Sequence, residues 1–514
     1  MRVELSRRAP LAQRPHRVLG AADSTSDLSF QTIWQYIGLR MGTPLMEAYL
    51  DLPSPRRIGI SHIPNGTATP PAGSLKCTTS GLTSLVHEQS LDSSFPMRIL
   101  ISTAGSHGDV LPFVAMAKEF AARGHDVILY ANPFFQHMAS EESAVRFVPI
   151  STVEKYSSVL GELADGNPRR TFQRVAREYV DICPEYYRAM KADVIQGETI
   201  VIGNSLMFAA RLLSETDHLP CAIIHLAPSV FRSNVKPSRL LPNWITPRTP
   251  SFLKTTAWWM MDKTFCDPHF TAPLNHYRAE LGLPAVDRIF CSWIHEADSV
   301  VGLFPDWFGE PQSDWPKHVA LTGFPFFDNG DQTPISADLD AFLKAGPPPV
   351  AFSAGTATAT ALEFFKTSIE AAKIAGLRAI LLSHFPQQIP TDLPEHVIHV
   401  DYAPFSILLP KLAAFVHHGG IGSTSQALRA GVPQLIRPVA YDQFDNADRA
   451  VRLGVAREVL PTRYVPRTVA GVLRELTTDA GLRQRCQRVA ERFTDCSSIA
   501  AACDVVLSCL CEDA

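Results

Sequence analysis

Short apolar runs alternate with amphipathic stretches along most of this chain, and the pattern becomes regular at residue 97. Met97–Ser102 is apolar without a long polar break, a turn follows at Gly105–Asp109, and Asp126–Tyr130 is a second apolar run. Between the runs, apolar residues recur at helical spacing as far as Gly124, at Val110, Val114, Ala117 and Ala121. A strand, a helix and a second strand form a βαβ unit, which predicts a parallel sheet.

The same alternation predicts two α/β halves. Ile200–Ile202 and Cys221–His225 predict further strands in the first half, and Pro349–Ser353 and Arg378–Leu382 predict strands in the second. A proline-rich stretch separates the halves, and helical patterns continue to the C-terminus. The predicted boundaries are an N-terminal domain at residues 97–325, a linker at 326–348 and a C-terminal domain at 349–514.

Residues 1–96 do not share this pattern. They are rich in proline, serine, threonine and arginine and show little periodicity. Glu4, Asp23 and Asp27 argue against a transit peptide, and no secretory signal core is visible. We interpret this stretch as a disordered extension or an upstream start codon chosen in error, and we expect its deletion to leave activity intact.

Composition excludes several classes of protein. The chain has 514 residues, 46% of them apolar, which is ordinary for a globular protein. Its net charge of −4 argues against a nucleic-acid binder. No run approaches the ~18 apolar residues of a membrane-spanning helix. The 10 cysteines form no Cys-x-x-Cys pair, so we expect free thiols, no zinc and a cytoplasmic protein.

A glycine-rich turn at residues 418–424 carries the strongest candidate chemistry. The apolar run 413–416 predicts a strand before it, and a helical run after it stops at Gly431 with Pro433 beyond. The first N–H groups of a helix have no internal partner and attract anions, and glycines let a ligand approach the backbone. The turn therefore predicts a diphosphate site, with these candidate ligands: His418, Gly420, Gly422, Ser423 and Thr424.

Asp442 and Gln443 follow one βα unit later, where strand ends converge. A carboxylate beside an amide suits the hydroxyl groups of a sugar ring, so the two elements together predict a nucleotide-diphosphate-sugar site. The order H-x-G-x-x-S-T, G-V-P and D-Q-x-x-N-A at residues 418–447 resembles the donor-binding motif of family 1 glycosyltransferases. The resemblance implies a GT-B fold, with two Rossmann-like parallel-sheet domains facing across a cleft and a C-terminal helix crossing back to the first domain.

Asp109 is the candidate catalytic base. It lies at the carboxyl end of a predicted strand, where open α/β sheets bind ligands. In the resembling family this turn carries the base, and Asp109-Val110-Leu111-Pro112 matches the family pattern. The alternative is an aspartate that only caps the helix. His107 is a candidate orienting or acceptor-side group, and the turn lacks the G-x-G-x-x-G order of a nicotinamide dehydrogenase.

The resemblance adds further donor-site candidates. It implies that Gly355 and Thr356 make a second set of phosphate contacts, that Tyr402 stacks on the nucleotide base, and that the backbone near Ala403 contacts the base edge. The alternatives are a solvent-exposed loop threonine and plain packing. It also implies an inverting reaction that needs no metal ion or other cofactor.

Trp258 and Trp259 are acceptor-side candidates. They lie with two methionines in a predicted loop-helix insertion, where they could line an apolar acceptor pocket or touch a membrane surface. Ordinary core packing is the alternative.

From residue 97 onward the chain also resembles the rhamnosyltransferases of bacterial rhamnolipid biosynthesis. Shared segments include Leu303–Phe308, Thr322–Pro325 and Asp442–Ala447. This narrower resemblance implies a dTDP-L-rhamnose donor, a hydroxyalkanoyloxy-alkanoate acceptor, a membrane-associated partner subunit and a peripheral place at the inner face of the membrane. Two alternatives remain: an enzyme that glycosylates a sterol, macrolide or other small aglycone, and a non-transferring sugar-nucleotide binder or epimerase.

Overall fold

The computed structural model describes residues 96–140, 144–162, 168–326, 334–355, 361–493 and 497–508. The predicted extension at residues 1–96 lies outside them except for its last residue. Two separate sheets organise the described chain, and every strand pair in both is parallel. The predicted α/β fold with two parallel-sheet domains is therefore confirmed.

The first sheet has seven strands in the order β3-β2-β1-β4-β5-β6-β7. Its central strands are buried, apart from the first residue of β1, because helices cover both faces, as the continuous apolar runs in the sequence predict. Strand order reverses between β1 and β4, and such a switch point opens a crevice at the carboxyl ends. The strands are β1 (Arg98–Ser102), β2 (Asp126–Ala131), β3 (Arg146–Pro149), β4 (Thr199–Asn204), β5 (Cys221–His225), β6 (Ser299–Gly302) and β7 (Val319–Leu321).

The second sheet has six strands in the order β10-β9-β8-β11-β12-β13. Its switch point lies between β8 and β11, so the glycine turn after β11 lies at the ligand-binding edge. The strands are β8 (Val350–Ser353), β9 (Ala379–Leu382), β10 (Val397–Val400), β11 (Ala414–His417), β12 (Gln434–Ile436) and β13 (Ala456–Glu458).

Helices connect the strands and pack on both sheets. Those of the first domain are α1 (His107–Ala122), α2 (Gln136–Ser140), α3 (Val153–Glu162), α4 (Pro168–Ala192), α5 (Phe208–Asp217), α6 (Ser251–Met261) and α7 (Ala272–Glu280), with a π-helix at Asp262–Thr271. Those that follow are α8 (Ala337–Lys344), α9 (Leu362–Ala375), α10 (Phe405–Leu408), α11 (Ile421–Arg429), α12 (Gln443–Arg452), α13 (Pro466–Thr478), α14 (Ala480–Ala490) and α15 (Ser498–Ser508). In the described part of the chain, no helix has the length and apolarity needed to cross a bilayer.

Two helices pack in a domain that their position in the sequence does not indicate. The helix α8 falls inside the predicted linker, yet Leu339 is fully buried against Ala351 and Ile380 of the second sheet, so α8 belongs to the C-terminal domain. The helix α15 follows the C-terminal domain but buries Cys503 and Val506 in the core of the first. The predicted return of the last helix to the first domain is thus confirmed.

Candidate active site

The turn between β1 and α1 holds Asp109 at the third position of the helix. Its Oδ2 accepts hydrogen bonds from the backbone N–H of Ser106 at 2.8 Å and from the Ser106 hydroxyl at 2.9 Å. Gly105 has φ +122°, and a Cβ there would lie 2.5 Å from Asp109 Oδ2. The glycine therefore supplies both the backbone conformation and the space that let the carboxylate fold back over the turn.

Asp109 therefore does cap the helix, which was the alternative raised from sequence, but capping occupies only one of its oxygens. Among the described residues, no donor reaches Oδ1. Burial raises the pKa of the Asp109 carboxyl above its usual range, and the two bonds from Ser106 only partly oppose that shift. A carboxylate with one free oxygen and a raised pKa is a stronger proton acceptor than an ordinary aspartate, which suits a general base.

Two tyrosines of α4 support this turn, a role that no sequence motif indicated. The Tyr186 hydroxyl donates to the backbone oxygen of Thr103 at 2.8 Å, and the Tyr179 hydroxyl donates to that of Ala104 at 3.1 Å. Both contacts satisfy backbone carbonyls just beyond the end of β1, where the sheet no longer does so. They fix the backbone from which Asp109 projects.

The second turn runs from β11 into α11 with Gly420 as the helix N-cap. Among the residues that the structure describes, no side chain caps this helix, and the N–H groups of its first turn have no partner within the helix. Gly422 is exposed, and a Cβ there would meet no atom within 4 Å. Open space in front of uncapped N–H groups is the geometry that a phosphate group requires. Ser423, half-buried in the same turn, can add a hydroxyl donor.

His418 lies between two backbone segments. A Cβ on Gly420 would lie 2.5 Å from its Nε2, and a Cβ on Gly355 would lie 2.6 Å from its Cε1. Burial lowers the pKa of His418 to about 4, so the ring is neutral and carries one N–H. Its Nδ1 is buried, and within the described chain it has no hydrogen-bond partner. The ring thus keeps a hydrogen-bonding group that a ligand oxygen can satisfy.

Thr424 does not occupy the place that the sequence predicted. Its side chain is fully buried, and its hydroxyl donates to the backbone oxygen of Gly420 at 3.0 Å. A threonine hydroxyl in a helix commonly bonds to a carbonyl one turn earlier, which removes it from the ligand side. Thr424 therefore stabilises the turn and is not available as a phosphate donor.

Asp442 and Gln443 begin α12, close to the glycine turn. The Asn446 side chain donates to Asp442 Oδ2 at 2.7 Å and to the backbone oxygen of Gly419 at 3.0 Å, and so ties the two segments together. The Gln443 Oε1 accepts from the backbone N–H groups of Val439 and Ala440, which leaves its Nε2 as the group able to contact a ligand. Burial raises the pKa of Asp442 to about 7, and the Asp109 charge contributes to that shift.

Tyr441 is a further site residue that the sequence motif did not identify. Its φ is +55°, a left-handed conformation that is strained for a bulky residue, and its side chain is 43% exposed. The charge of Asp109 helps to raise the Tyr441 pKa to about 12, after burial as the main cause. Strain of this kind collects at functional sites because the surrounding structure holds it in place.

The two turns lie near each other where the domains meet. The charge of Asp109 acts on Asp442 and Tyr441, and His384 of the second domain lowers the pKa of His107 of the first, after burial. The Arg239 guanidinium also pairs with Glu458 at 2.7 Å across the domains. The predicted base and the predicted sugar-binding carboxylate therefore belong to one cleft.

The remaining donor-side candidates lie along the same edge. Tyr402 is 53% exposed and stacks on His384 with ring centroids 5.9 Å apart, so one aromatic surface at this edge is open to solvent. Ala403 is buried beside it. Gly355 contacts His418, as described above, and Thr356 lies outside the described residues.

The acceptor-side candidates divide into two groups. His107 makes edge contacts with Phe134 and Phe135, at 5.5 and 5.3 Å between ring centroids, and so joins an aromatic cluster beside Asp109. Trp258 is 7% exposed and packs in a small core with its ring under Arg232, which corrects the prediction that it lines an acceptor pocket. Trp259, the next residue of α6, is 58% exposed.

Comparison with known protein families agrees with this geometry. Residues 99–232 match the glycosyltransferase family 28 N-terminal domain. Residues 373–506 match the C-terminal domain of the erythromycin biosynthesis protein CIII-like family. The first match contains the Asp109 turn and the second contains both the glycine turn and Asp442.

Similarity to individual proteins covers most of the chain. A glycosyltransferase GtfE from Amycolatopsis orientalis is 30% identical over 70% of this chain and 85% of its own length. An O-mycaminosyltylonolide 6-deoxyallosyltransferase from Streptomyces fradiae is 27% identical over 80% of this chain and 97% of its own. Among solved structures, the glycotransferase of kitacinnamycin superimposes with a TM-score of 0.63 at 20% identity, covering 81% of this chain and 100% of its own. These neighbours share the predicted GT-B architecture, which is thereby confirmed.

Proposed function

The chain belongs to the GT-B glycosyltransferases, and on that premise we propose that it transfers a sugar, with inversion, from a nucleoside-diphosphate donor to a hydroxyl group of a small acceptor. One observation carries this proposal. Asp109 with its free oxygen belongs to one domain and the uncapped start of α11 to the other, and Asp442, tied to the glycine turn through Asn446, feels the Asp109 charge. A base and an anion site arranged in this way can bracket a sugar carbon.

In the proposed reaction the Asp109 carboxylate takes the proton of the acceptor hydroxyl. The acceptor oxygen forms a bond to the anomeric carbon from the face opposite the diphosphate. The bond from that carbon to the phosphate oxygen breaks, and its electron pair leaves with the nucleoside diphosphate. A base in hydrogen-bond reach contributes roughly 10²- to 10⁴-fold to the rate.

The leaving diphosphate gains negative charge as its bond breaks. We propose that neutral His418, the N–H groups at the start of α11 and the Ser423 hydroxyl stabilise this charge, with Thr356 as a further donor and without a metal ion. Such donors are preorganised and need no reorientation when the charge develops. Within the described residues, the helix start has no side-chain cap and His418 Nδ1 has no hydrogen-bond partner, which supports the assignment of these two groups.

We propose that Asp442 and the Nε2 group of Gln443 bind the sugar hydroxyls. We also propose that the base of the donor nucleotide stacks on Tyr402. The specific donor we propose is dTDP-L-rhamnose, on the strength of the sequence resemblance. A hydroxyacyl lipid acceptor, with a membrane-associated partner subunit, is the acceptor that the same resemblance implies.

A small aglycone with several hydroxyl groups is the second acceptor candidate. The macrolide and glycopeptide names carried by relatives that match over most of this chain favour it. The aromatic cluster beside Asp109 offers flat apolar contacts to such a molecule through its half-buried members, His107, Phe134 and Tyr156. A non-transferring sugar-nucleotide binder is a weaker candidate because Asp109 keeps a free oxygen.

A product assay tests the function. The purified chain is incubated with dTDP-L-rhamnose, dTDP-glucose or UDP-glucose and with a hydroxyacyl lipid, a sterol or a macrolide aglycone, and the products are measured by mass spectrometry. We expect one sugar to be added to at least one acceptor. Binding of the nucleotide-sugar without any transfer or hydrolysis would instead favour the non-transferring binder.

The variant Asp109→Asn tests the mechanism. It keeps the size of the side chain but removes the proton acceptor, so turnover should fall by roughly 10²- to 10⁴-fold. The Kd for the donor should change little at pH 8.5, where Asp442 is already ionised in the unsubstituted protein. Single-turnover kinetics and calorimetric titration measure the two quantities separately. Unchanged turnover would remove Asp109 from the mechanism.

A further inference from the structure

A buried aspartate of the sugar-binding motif contacts the other domain. Asp445 lies three residues after Asp442, on α12, and its side chain is 2% exposed. Its Oδ1 accepts a hydrogen bond at 3.1 Å from the backbone N–H of Arg239, which belongs to the first domain. Its Oδ2 accepts one at 2.6 Å from Nε of Arg449, on its own helix. Both oxygens of the Asp445 carboxylate are therefore used by protein donors, unlike the sugar-binding groups beside it.

Two arginines extend this contact across the domain boundary. Nη1 of Arg449 donates to the backbone oxygen of Phe308 in the first domain at 2.9 Å, and the Arg239 guanidinium pairs with Glu458 of the second at 2.7 Å. Guanidinium and backbone N–H groups only donate, and carboxylate and carbonyl oxygens only accept, so the direction of each bond is fixed. We call the four side chains that make these contacts the clasp: Arg239, Asp445, Arg449 and Glu458.

The loop that carries Arg239 is itself fixed to the first domain. Lys254 of α6 is 3% exposed, and its Nζ donates to the backbone oxygens of Asn234 at 2.5 Å and Pro247 at 2.8 Å. These two carbonyls lie on either side of Arg239 in the sequence. The Asp314 carboxylate also accepts from the backbone N–H of Asn234 at 2.6 Å. The clasp is thus anchored to the first domain on both sides of Arg239.

On the second domain, the clasp lies within one helical turn of the sugar-binding carboxylate. Asp442 is the N-cap of α12 and Asp445 is its third residue, so they are separated by about 4.5 Å along the helix axis. The backbone N–H of Asn446 donates to the Asp442 oxygen at 2.9 Å and closes this first turn. Because the turn is hydrogen-bonded, the position of Asp445 determines that of Asp442.

We propose that the clasp sets the position of Asp442 relative to Asp109, and that its four members are positioning residues for sugar transfer. This inference rests on the proposed function and explains how the two substrates are aligned. Transfer requires the acceptor oxygen and the anomeric carbon to meet in a near-attack geometry, and an error of about 1 Å can lower the rate about 10²-fold. Donor binding has no such requirement, because the proposed donor ligands all lie in the second domain. The clasp should therefore affect turnover and leave donor affinity unchanged.

Kinetics and donor binding of Arg239→Ala test the proposal. This variant removes the ion pair with Glu458 but keeps the backbone N–H that Asp445 accepts. At pH 8.5, where Asp442 is ionised, we expect kcat to fall about tenfold and the donor Kd to stay within about twofold. Arg239→Lys, which keeps the charge, should retain most of the turnover. A donor Kd that rises in step with the loss of kcat overturns the proposal, as does an unchanged kcat.

Arg457→Ala is the matched control. Arg457 is the neighbour of Glu458 on β13, but its Nε donates to Glu475 at 2.8 Å within the second domain. Loss of this ion pair removes no contact between the domains, so kcat and the donor Kd should both stay unchanged. A fall in kcat equal to that of Arg239→Ala would overturn the proposal, because contact between the domains would not be the cause.

A double-mutant cycle tests whether the pair across the domains acts as a unit. Glu458→Gln should lower kcat by about as much as Arg239→Ala, and the double variant should lose no more than either single variant. Losses that multiply in the double variant would overturn the proposal, because the two side chains would then act independently.

Hydrogen exchange of the full chain, measured by mass spectrometry, tests the clasp without any transfer assay. The Arg239 amide should exchange slowly in the unsubstituted protein, and Asp445→Ala should raise its exchange rate about tenfold or more. Constant exchange in the core strand β4 shows that the variant is folded. Equal exchange at Arg239 in both proteins overturns the proposal. Absence of transfer to every acceptor tested contradicts the proposed function instead, whatever the exchange at Arg239.

Discussion

At the scale of single residues, the two carboxyl groups of the cleft are the most informative feature. Burial raises the pKa of both Asp109 and Asp442, and Asp442 feels the charge of Asp109 in addition. Two carboxylates in one cleft disfavour each other's ionisation, so the first proton leaves more readily than the second. The hydroxyl groups of a bound sugar can relieve this conflict by donating to Asp442, which couples donor binding to the ionisation of the site.

We therefore predict that donor affinity depends on pH. The pKa of Asp442 is about 7 in the free protein, so the group is neutral below that value and ionised above it. A carboxylate accepts hydrogen bonds from sugar hydroxyls more strongly than the neutral acid, so the nucleotide-sugar should bind about tenfold more tightly at pH 8.5 than at pH 5.5. Calorimetric titration across this range measures the effect.

The control for this prediction is a second aspartate of the same helix. Asp442→Asn should abolish the pH dependence. Asp448→Asn should keep it, because the Asp448 carboxylate forms an ion pair with Arg452, at a distance of 3.0 Å, and is not one of the proposed sugar-binding groups. Retention of the full pH dependence in Asp442→Asn would assign the titrating group elsewhere.

At the scale of elements, the β11–α11 turn shows how a strand and a helix together make an anion site. The helix leaves its first N–H groups unpaired, and the glycines keep the approach to them open. Thr424 and Asn446 hold the turn from its buried side, through the carbonyls of Gly420 and Gly419. Rigid support behind and open space in front are both needed for preorganised binding.

Gly420→Ala should disturb this arrangement. The added Cβ would lie 2.5 Å from His418 Nε2, so the imidazole must move away from its position between two backbone segments. Loss of one hydrogen bond to a charged phosphate corresponds to about 1.5–3 kcal/mol, so the Kd for the donor should rise by about tenfold or more. Titration with the nucleotide-sugar measures it.

Gly471→Ala provides the matched control. Gly471 lies inside α13, and a Cβ there would meet no atom within 4 Å, so alanine should stabilise the helix slightly and leave the donor Kd unchanged. Equal donor binding by both variants would show that the His418 ring is not held in place for the ligand.

Features set by interactions between residues close in sequence could be predicted, whereas contacts between residues far apart in sequence could not. The two sheets and the placing of Asp109 and Asp442 at strand ends were predictable, because apolar periodicity and parallel topology determine them locally. The prediction that the Thr424 hydroxyl binds phosphate was wrong, because this hydroxyl donates to the Gly420 carbonyl of its own helical turn. Sequence alone does not show which of these partners a threonine hydroxyl takes. The supports from Tyr179 and Tyr186 cross 75 and 83 residues, a separation at which no local pattern reports a contact.

At the scale of the whole molecule, the last helix links the two domains, because it follows the C-terminal domain in sequence and packs in the core of the N-terminal domain. The buried face of α15 packs against α1, and Arg123 of the first domain pairs with Asp504 at 2.5 Å. Before this helix, Phe493 stacks on Phe324 and meets Trp307 edge-on, near the point where the chain leaves the first domain. The C-terminal helix is thus structurally part of the N-terminal domain, although it follows the C-terminal domain in sequence.

Val506→Ala tests whether the packing of α15 stabilises the first domain without affecting donor binding. Val506 is fully buried in the core of the first domain, so removal of two methyl groups should lower the free energy of unfolding by about 2 kcal/mol, as measured by urea denaturation. The donor Kd should stay within about twofold, because the donor-binding turns lie in the other domain. Ser508→Ala, at an exposed position of the same helix, should change stability by less than ~0.5 kcal/mol. Equal stability of the two variants would mean that α15 is not held on the first domain in solution.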